Sequence, residues 1–209
     1  SMPVFSSLLC VALALAFPLG LGAQTAPAPP RATGRVSSGV PTETLELALH
    51  PYILDLKTLD VEIRGEKYRF LLDTGGGVTA ISPELAKKMG LVPWGRLVGY
   101  RMTGDPAIFR LCSGLDGVLD GQWKVLRAPV GVFDLKPLLP PGLPPLDGVL
   151  SLDAFRGQVL TLDLAADRLI LHSPQDAELA LGRHGLKVRF ATGEDGSGLT
   201  LLTPIEGKY

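Results

Sequence analysis

The sequence predicts a mostly β fold carrying one or two short helices. Glycine (25 residues) and proline (18) make up about a fifth of the 209-residue chain, a mix that favours short strands and frequent turns. Aromatic residues are only 6%. The clearest periodicity, over residues 58–72, has the two-residue repeat of half-buried strands. Hydrophobic residues at 46% and charged residues at 20% are close to globular averages, which excludes a wholly disordered chain. Twenty Lys and Arg against 21 Asp and Glu leave a net charge of −1. With no basic stripe, the chain lacks the electrostatic footprint of a nucleic-acid binder.

Residues 1–30 carry no charge, and Leu8 to Leu21 is apolar but broken by Pro18 and Gly20. That run is short for a bilayer span. The small residues Gly22 and Ala23 follow, so residues 1–23 read as a secretory signal peptide and imply a secreted or periplasmic protein. An uncleaved membrane anchor is the alternative. Lipid attachment at Cys10 is disfavoured by the bulky Leu9 before it. Residues 24–44, rich in Ala, Pro, Ser, Gly and Thr, read as a linker. The folded part is expected to begin near Leu45. Without the leader, Cys112 is a lone thiol and no intrachain disulfide forms. His50, His172 and His184 are scattered, without zinc-type spacing. No metal and no cofactor are implied.

Leu59, Val61 and Ile63 alternate with Asp60, Glu62 and Arg64. After a turn at Gly65-Glu66, Tyr68, Phe70 and Leu72 share one face, with Lys67 and Arg69 on the other. This is a β-hairpin whose second strand runs into Asp73-Thr74-Gly75. Val78 to Ile81 is a short β-branched run. Ser82-Pro83-Glu84 then opens a helix, with a serine cap, proline in the first position and an acid near the positive dipole end. Gly90 stops it. Further strands are expected at Leu97–Tyr100, Ala107–Leu111, Trp123–Leu126 and Val130–Phe133. An irregular loop follows at Pro137–Pro145, then a buried strand Gly148-Val149-Leu150 and a helical turn over Leu152–Arg156. Val159–Asp163 and Leu169–His172 form a closing hairpin. Ser173-Pro174-Gln175-Asp176 caps a second helix ending at Gly182. Lys187–Phe190 and Leu199–Thr203 are expected as strands that begin something new, with nothing after them to pair against.

The chemistry centres on Phe70-Leu71-Leu72-Asp73-Thr74-Gly75, an apolar strand that delivers a carboxylate into a glycine turn. Some seventy residues later comes Asp147-Gly148-Val149-Leu150-Ser151-Leu152-Asp153. In this order, and with the closing hairpin after them, the elements resemble the retropepsin-like aspartic proteases over residues 45–172. The resemblance implies a closed β-barrel or sheet lobe and hydrolysis of peptide bonds. It makes Asp73 the catalytic acid/base, with Thr74 joining two active-site loops through its hydroxyl and Gly75 donating a backbone hydrogen bond to the carboxylate. It also implies a flap, for which Val98 to Asp105 is the candidate, with Tyr100, Met102 and Gly104 facing substrate. Two carboxyls about 3 Å apart cannot both ionise, so one activates water while the other protonates the carbonyl oxygen.

Two departures follow. Ser151 stands where the family has a glycine that lets strands cross closely. The chain also has a single Asp-Thr-Gly, and Asp147 and Asp153 are not substitutes because the family uses neither in catalysis. The second carboxylate comes either from a homodimer mate or from a second lobe. Ile205 to Tyr209 echoes Ile63 to Tyr68, so residues 173–209 read as a helix and the start of a truncated second lobe. Other readings are weaker. Gly75-Gly76-Gly77 lacks the Lys-Ser/Thr of a phosphate loop, and the Asp-rich turns at 115–120 and 146–153 lack calcium-loop spacing. Cys112 reads as a small core residue, and Trp94 and Trp123 as core. The functional alternative is an inactive fold that binds peptides or dimerises. In that case Asp73 merely caps its own turn.

Overall fold

A computed structural model describes residues 43–101, 105–113, 115–121, 123–126, 129–181, 189–191 and 200–202. The strands are β1 (Leu45–Ala48), β2 (His50–Pro51), β3 (Lys57–Ile63), β4 (Glu66–Asp73), β5 (Ala80–Ile81), β6 (Trp94–Tyr100) and β7 (Pro106–Cys112). They continue with β8 (Val118–Leu119), β9 (Trp123–Lys124), β10 (Val130–Val132), β11 (Gly148–Ser151), β12 (Leu160–Asp163), β13 (Arg168–Leu171), β14 (Arg189–Ala191) and β15 (Thr200–Leu202). Helix α1 spans Pro83–Lys88 and α2 spans Pro174–Leu181, with single 3₁₀ turns at Lys136–Leu138 and Leu152–Phe155.

The β3–β4 hairpin forms from the alternating residues, pairing Thr58 with Leu71 through to Ile63 with Glu66. Its turn is Arg64-Gly65, one residue earlier than the sequence suggested. Both positions have positive φ, 54° and 81°, as a two-residue hairpin turn that follows the strand twist requires. Leu59, Val61 and Ile63 from β3 meet Tyr68, Phe70 and Leu72 from β4 in the main core. Helix α1 starts as its sequence demands: the Ser82 hydroxyl accepts from the Leu85 N–H at 3.1 Å. Leu85 and Ala86 are buried, and Gly90, at φ 69°, ends the helix.

The large sheet has the order β6-β7-β10-β5-β11-β4-β3-β8-β9, with β2 also on β3. Strand β11 runs parallel to β4 and antiparallel to β5, and β10 runs parallel to β5. The connection from β4 to β5 therefore passes over the end of β11, and this is what positions the site. The expected closure is not seen: among the described residues β6 and β9 are unpaired ends of an open sheet. Strands β8 and β9 are two residues each and offer only a short edge for further pairing. The closing hairpin is present as β12–β13, but β1 joins it to make a separate three-stranded sheet, with Leu45 opposite Leu171. Strands β14 and β15 pair with each other, so they do not lack a partner as the sequence suggested.

Packing around β11 is tight. A Cβ built on Gly148 would lie 2.3 Å from Phe70 Cε1 and 2.5 Å from the Ala80 carbonyl oxygen. The position that needs glycine for close strand crossing is thus Gly148, at the start of β11, and not residue 151 at its end. The opposite sheet face carries a second cluster, Leu71, Leu135, Leu146 and Val149, and a third of Ala80, Ala107 and Phe109. Phe133 touches both and stacks on Phe109 at 4.7 Å.

The two ends of the domain meet at α2. Ser173 caps this helix by accepting from the Asp176 N–H at 3.2 Å. The Thr44 hydroxyl donates to Asp176 at 2.5 Å and accepts from the Ser173 N–H at 3.0 Å. The Thr44 hydroxyl, then that of Ser173, holds the Asp176 carboxyl below its ordinary range. Asp163 is lowered by the Ala166 N–H and then Arg168, Glu66 by Lys88 and then Tyr68, and Glu84 by Lys136. A carboxylate lowered in the folded state contributes stability above its unfolded pKa and loses it as pH falls through the folded one. Melting temperature is therefore expected to hold from neutral pH to about 5 and to fall progressively below about 4. Asp176→Asn should flatten that fall, and thermal melts between pH 3 and 7 check both.

Candidate active site

Strand β4 ends in Asp73, which is buried at 8% exposure. Its Oδ1 accepts two backbone hydrogen bonds, from the Gly75 N–H at 3.0 Å and the Gly76 N–H at 2.9 Å. Gly75 thus makes the contact suggested for it. Gly76 is a second donor that the sequence reading missed, and the only signal for it was the run of three glycines. Its lack of a side chain matters as much as its N–H. A Cβ there would lie 2.6 Å from Asp73 Oδ2 and 3.0 Å from Cγ, so the turn lies directly against the carboxylate. Gly76→Ala is expected to cut any Asp73-dependent activity by about a hundredfold, the scale of a 1 Å misplacement. The melting temperature should also fall, because the added carbon meets a buried, hydrogen-bonded carboxylate, and kcat measured beside a thermal melt tests this. Thr74 is exposed on this chain.

Ser151 stands opposite Asp73 in the parallel β4–β11 ladder and is fully buried. Its hydroxyl lies 3.0 Å from Thr79 Oγ1, and its N–H donates to the same oxygen at 3.2 Å. Asp147 has a structural task. Its Oδ2 accepts from the Arg69 N–H at 2.8 Å, its own N–H donates to the Arg69 carbonyl at 2.8 Å, and its carbonyl accepts from the Ser82 N–H at 2.7 Å. It thereby extends the β4–β11 ladder and anchors the start of α1. Asp153 receives two bonds from the Arg156 guanidinium, at 2.8 and 2.6 Å.

The flap candidate is the β6–β7 hairpin, paired from Leu97 with Phe109 to Tyr100 with Pro106. Half-buried Tyr100 ends β6; Met102 and Gly104 lie outside the described residues. At the other end of β6 a register shift follows Trp94, and Gly95 takes φ 61°. Trp94 is 40% exposed at this sheet edge, whereas Trp123 is in the core at 2%; of the two tryptophans read as core, only Trp123 is. Cys112 is fully buried, and burial pushes its thiol up, which suits a core residue and not a nucleophile. Among the described residues no cluster of His, Cys, Asp and Glu is placed to hold a metal ion.

A cavity of about 320 Å³ lies between Ser82 and Glu84 and the loop 134–146, and another of about 310 Å³ over Leu59 and Glu62. Asp73 lines neither. The chain presents a buried carboxylate held by two backbone N–H groups at the end of β4.

Residues 59–153 match the sequence profile of a family described as aspartyl protease. Among curated proteins, DNA damage-inducible protein 1 of Neurospora crassa is 28% identical over 144 residues, covering 64% of this chain. The chain spans 30% of that relative's length. Among solved structures, a retropepsin-like aspartic protease from Rickettsia conorii is 19% identical with a TM-score of 0.37. That match covers 62% of this chain and 90% of the other.

Proposed function

We propose that the chain is a retropepsin-like aspartic endopeptidase in which Asp73 is one of two catalytic carboxyls, a reading supported by the match of residues 59–153 to an aspartyl protease profile. The observation that carries this reading is the buried Asp73 carboxylate, fixed through Oδ1 by two backbone N–H groups. Two N–H donors on Oδ1 fix the orientation of the carboxylate at the end of β4. The dyad would share one proton: one acid deprotonates the attacking water while the other protonates the carbonyl oxygen of the peptide. The pair titrates as a unit. The mate of Asp73 is Asp73 of a second copy, related by a two-fold axis. The exposure of Thr74, beside it, supports that reading. The substrate is a peptide or protein, and the uncharged apolar leader supports a site of action outside the cytoplasm.

The competing reading keeps the fold as an inactive peptide-binding or dimerising module. Peptide-library cleavage from pH 3 to 7 at several protein concentrations separates the two. Specific activity that rises with concentration and follows a bell-shaped pH profile supports the homodimeric protease. Activity independent of concentration down to levels where the chain sediments as a monomer points to a partner lobe within one polypeptide. Peptide binding without cleavage at any pH supports the module and removes the protease reading.

A further inference from the structure

We propose that Ser151 and Thr79 form a positioning pair that fixes the Asp73 loop from its far end, a proposal that rests on the protease reading above. The loop leaves β4 at Asp73 and re-enters the sheet at Thr79, just before β5. Both ends are referred to one residue. Asp73 is opposite Ser151 in the parallel ladder, and Thr79 Oγ1 receives the Ser151 N–H and contacts the Ser151 hydroxyl. The Thr79 carbonyl is held from the other side, accepting from the Gly131 N–H at 2.9 Å. Between these fixed ends lie Gly75 and Gly76, whose N–H groups orient the carboxylate.

Glycine-rich backbone is the most conformationally free in the chain, so its geometry depends on how firmly the loop ends are tied. A hydroxyl pair joining fully buried Ser151 to half-buried Thr79 supplies that tie, because breaking it leaves the buried Ser151 polar groups short of a partner. On this proposal the two hydroxyls are positioning groups. They act through the two N–H groups on Asp73 Oδ1. The serine that departs from the family pattern is, on this reading, a tightening element.

The test uses the full chain with Ser151→Ala, Thr79→Val, the double variant and Thr79→Ser. It reads kcat, KM and the titration of the Asp73 carboxyl by carbon NMR, assigned by difference from Asp73→Asn. Thr79→Val is nearly isosteric and removes the shared oxygen. It should lower kcat by about tenfold at near-constant KM, a partial version of the loss that a 1 Å misplacement brings. It should also move the Asp73 midpoint upward, since weaker N–H donation favours the neutral acid. Ser151→Ala should act in the same direction, the double variant should be no worse than Thr79→Val, and Thr79→Ser should restore both readouts. An Asp73 midpoint unmoved in Thr79→Val, or no rescue by Thr79→Ser, overturns the proposal even if the melting temperature falls. Absence of cleavage in the unaltered protein would count against the protease reading, while the Asp73 titration still decides the positioning role.

Discussion

Asp73→Asn is expected to abolish peptide cleavage while leaving the fold and its stability nearly intact. Asparagine keeps an amide oxygen where Oδ1 now accepts from Gly75 and Gly76 at 3.0 and 2.9 Å, so the turn retains its hydrogen bonds. What it loses is the capacity to take up and release a proton, on which the proposed chemistry depends. In the proposed dyad the substitution replaces both carboxyls, and loss of the acid–base pair removes most of its catalysis, on the order of a thousandfold or more. Asp73→Ala is the informative contrast. It leaves the buried Gly76 N–H without its acceptor, and an unsatisfied buried donor costs about 1–3 kcal/mol. A purely structural Asp73 predicts that stability alone separates the variants: asparagine behaves like the unaltered protein and alanine is less stable. A catalytic Asp73 predicts both variants inactive and only alanine destabilised. Cleavage assays and thermal melts on the same three samples distinguish these patterns.

Gly148→Ala is expected to be the most damaging single substitution for stability. The added carbon would lie 2.3 Å from Phe70 Cε1 and 2.5 Å from the Ala80 carbonyl oxygen. Full burial of the ring blocks relief by rotation. The carbonyl belongs to β5, whose neighbours on both sides, β10 and β11, fix it in the sheet. Overpacking a well-filled core costs about 1–3 kcal/mol, more when backbone must move, against a domain stability on the order of 5–15 kcal/mol. A melting temperature lowered by roughly 10 °C or more, or insoluble protein, is the expected outcome. Gly157→Ala is a suitable control. Its φ of 79° brings strain, but no atom lies within 4 Å of the added carbon, so its cost is only about 1–2 kcal/mol. Equal melting temperatures for the two variants would show that β11 is not as tightly flanked as its contacts imply.

Features whose physics is local were readable from the chain. Residues 59–63 and 68–72 alternate because each strand covers the core with one face, and Ser82-Pro83 starts a helix because its cap and first turn are adjacent in sequence. The turn was misplaced by one residue because Arg64 gives no advance sign of adopting a φ of 54°. Features that depend on distant partners were not readable. Strand β1 lies in a sheet because Leu45 meets Leu171, and no local pattern in Leu-Glu-Leu-Ala announces that pairing. The need for glycine at 148 arises from Phe70 and Ala80, and the task of Ser151 from Thr79, 72 residues earlier. Closure was expected from likeness, whereas pairing at the edges β6 and β9 depends on distant partners that no local pattern names. At the site, Asp73 and Gly75 stood out as a motif, while Gly76 and Thr79 act through contacts that a motif does not spell out.

The pairing of β1 with β13 also sets how the domain would answer to mechanical force. Leu45, where the described fold begins, lies directly across from Leu171, just before α2. Tension applied through the flanking segments would load this antiparallel ladder from its open end, perpendicular to the strands. Its hydrogen bonds would then carry load in sequence and not together, from Leu45–Leu171 to Ala48–Arg168. A domain tethered this way peels apart at low force, first releasing the three-stranded sheet and leaving the sheet that carries Asp73 for later. Under such tension it would behave as an extensible link whose outer sheet yields before the sheet that carries Asp73.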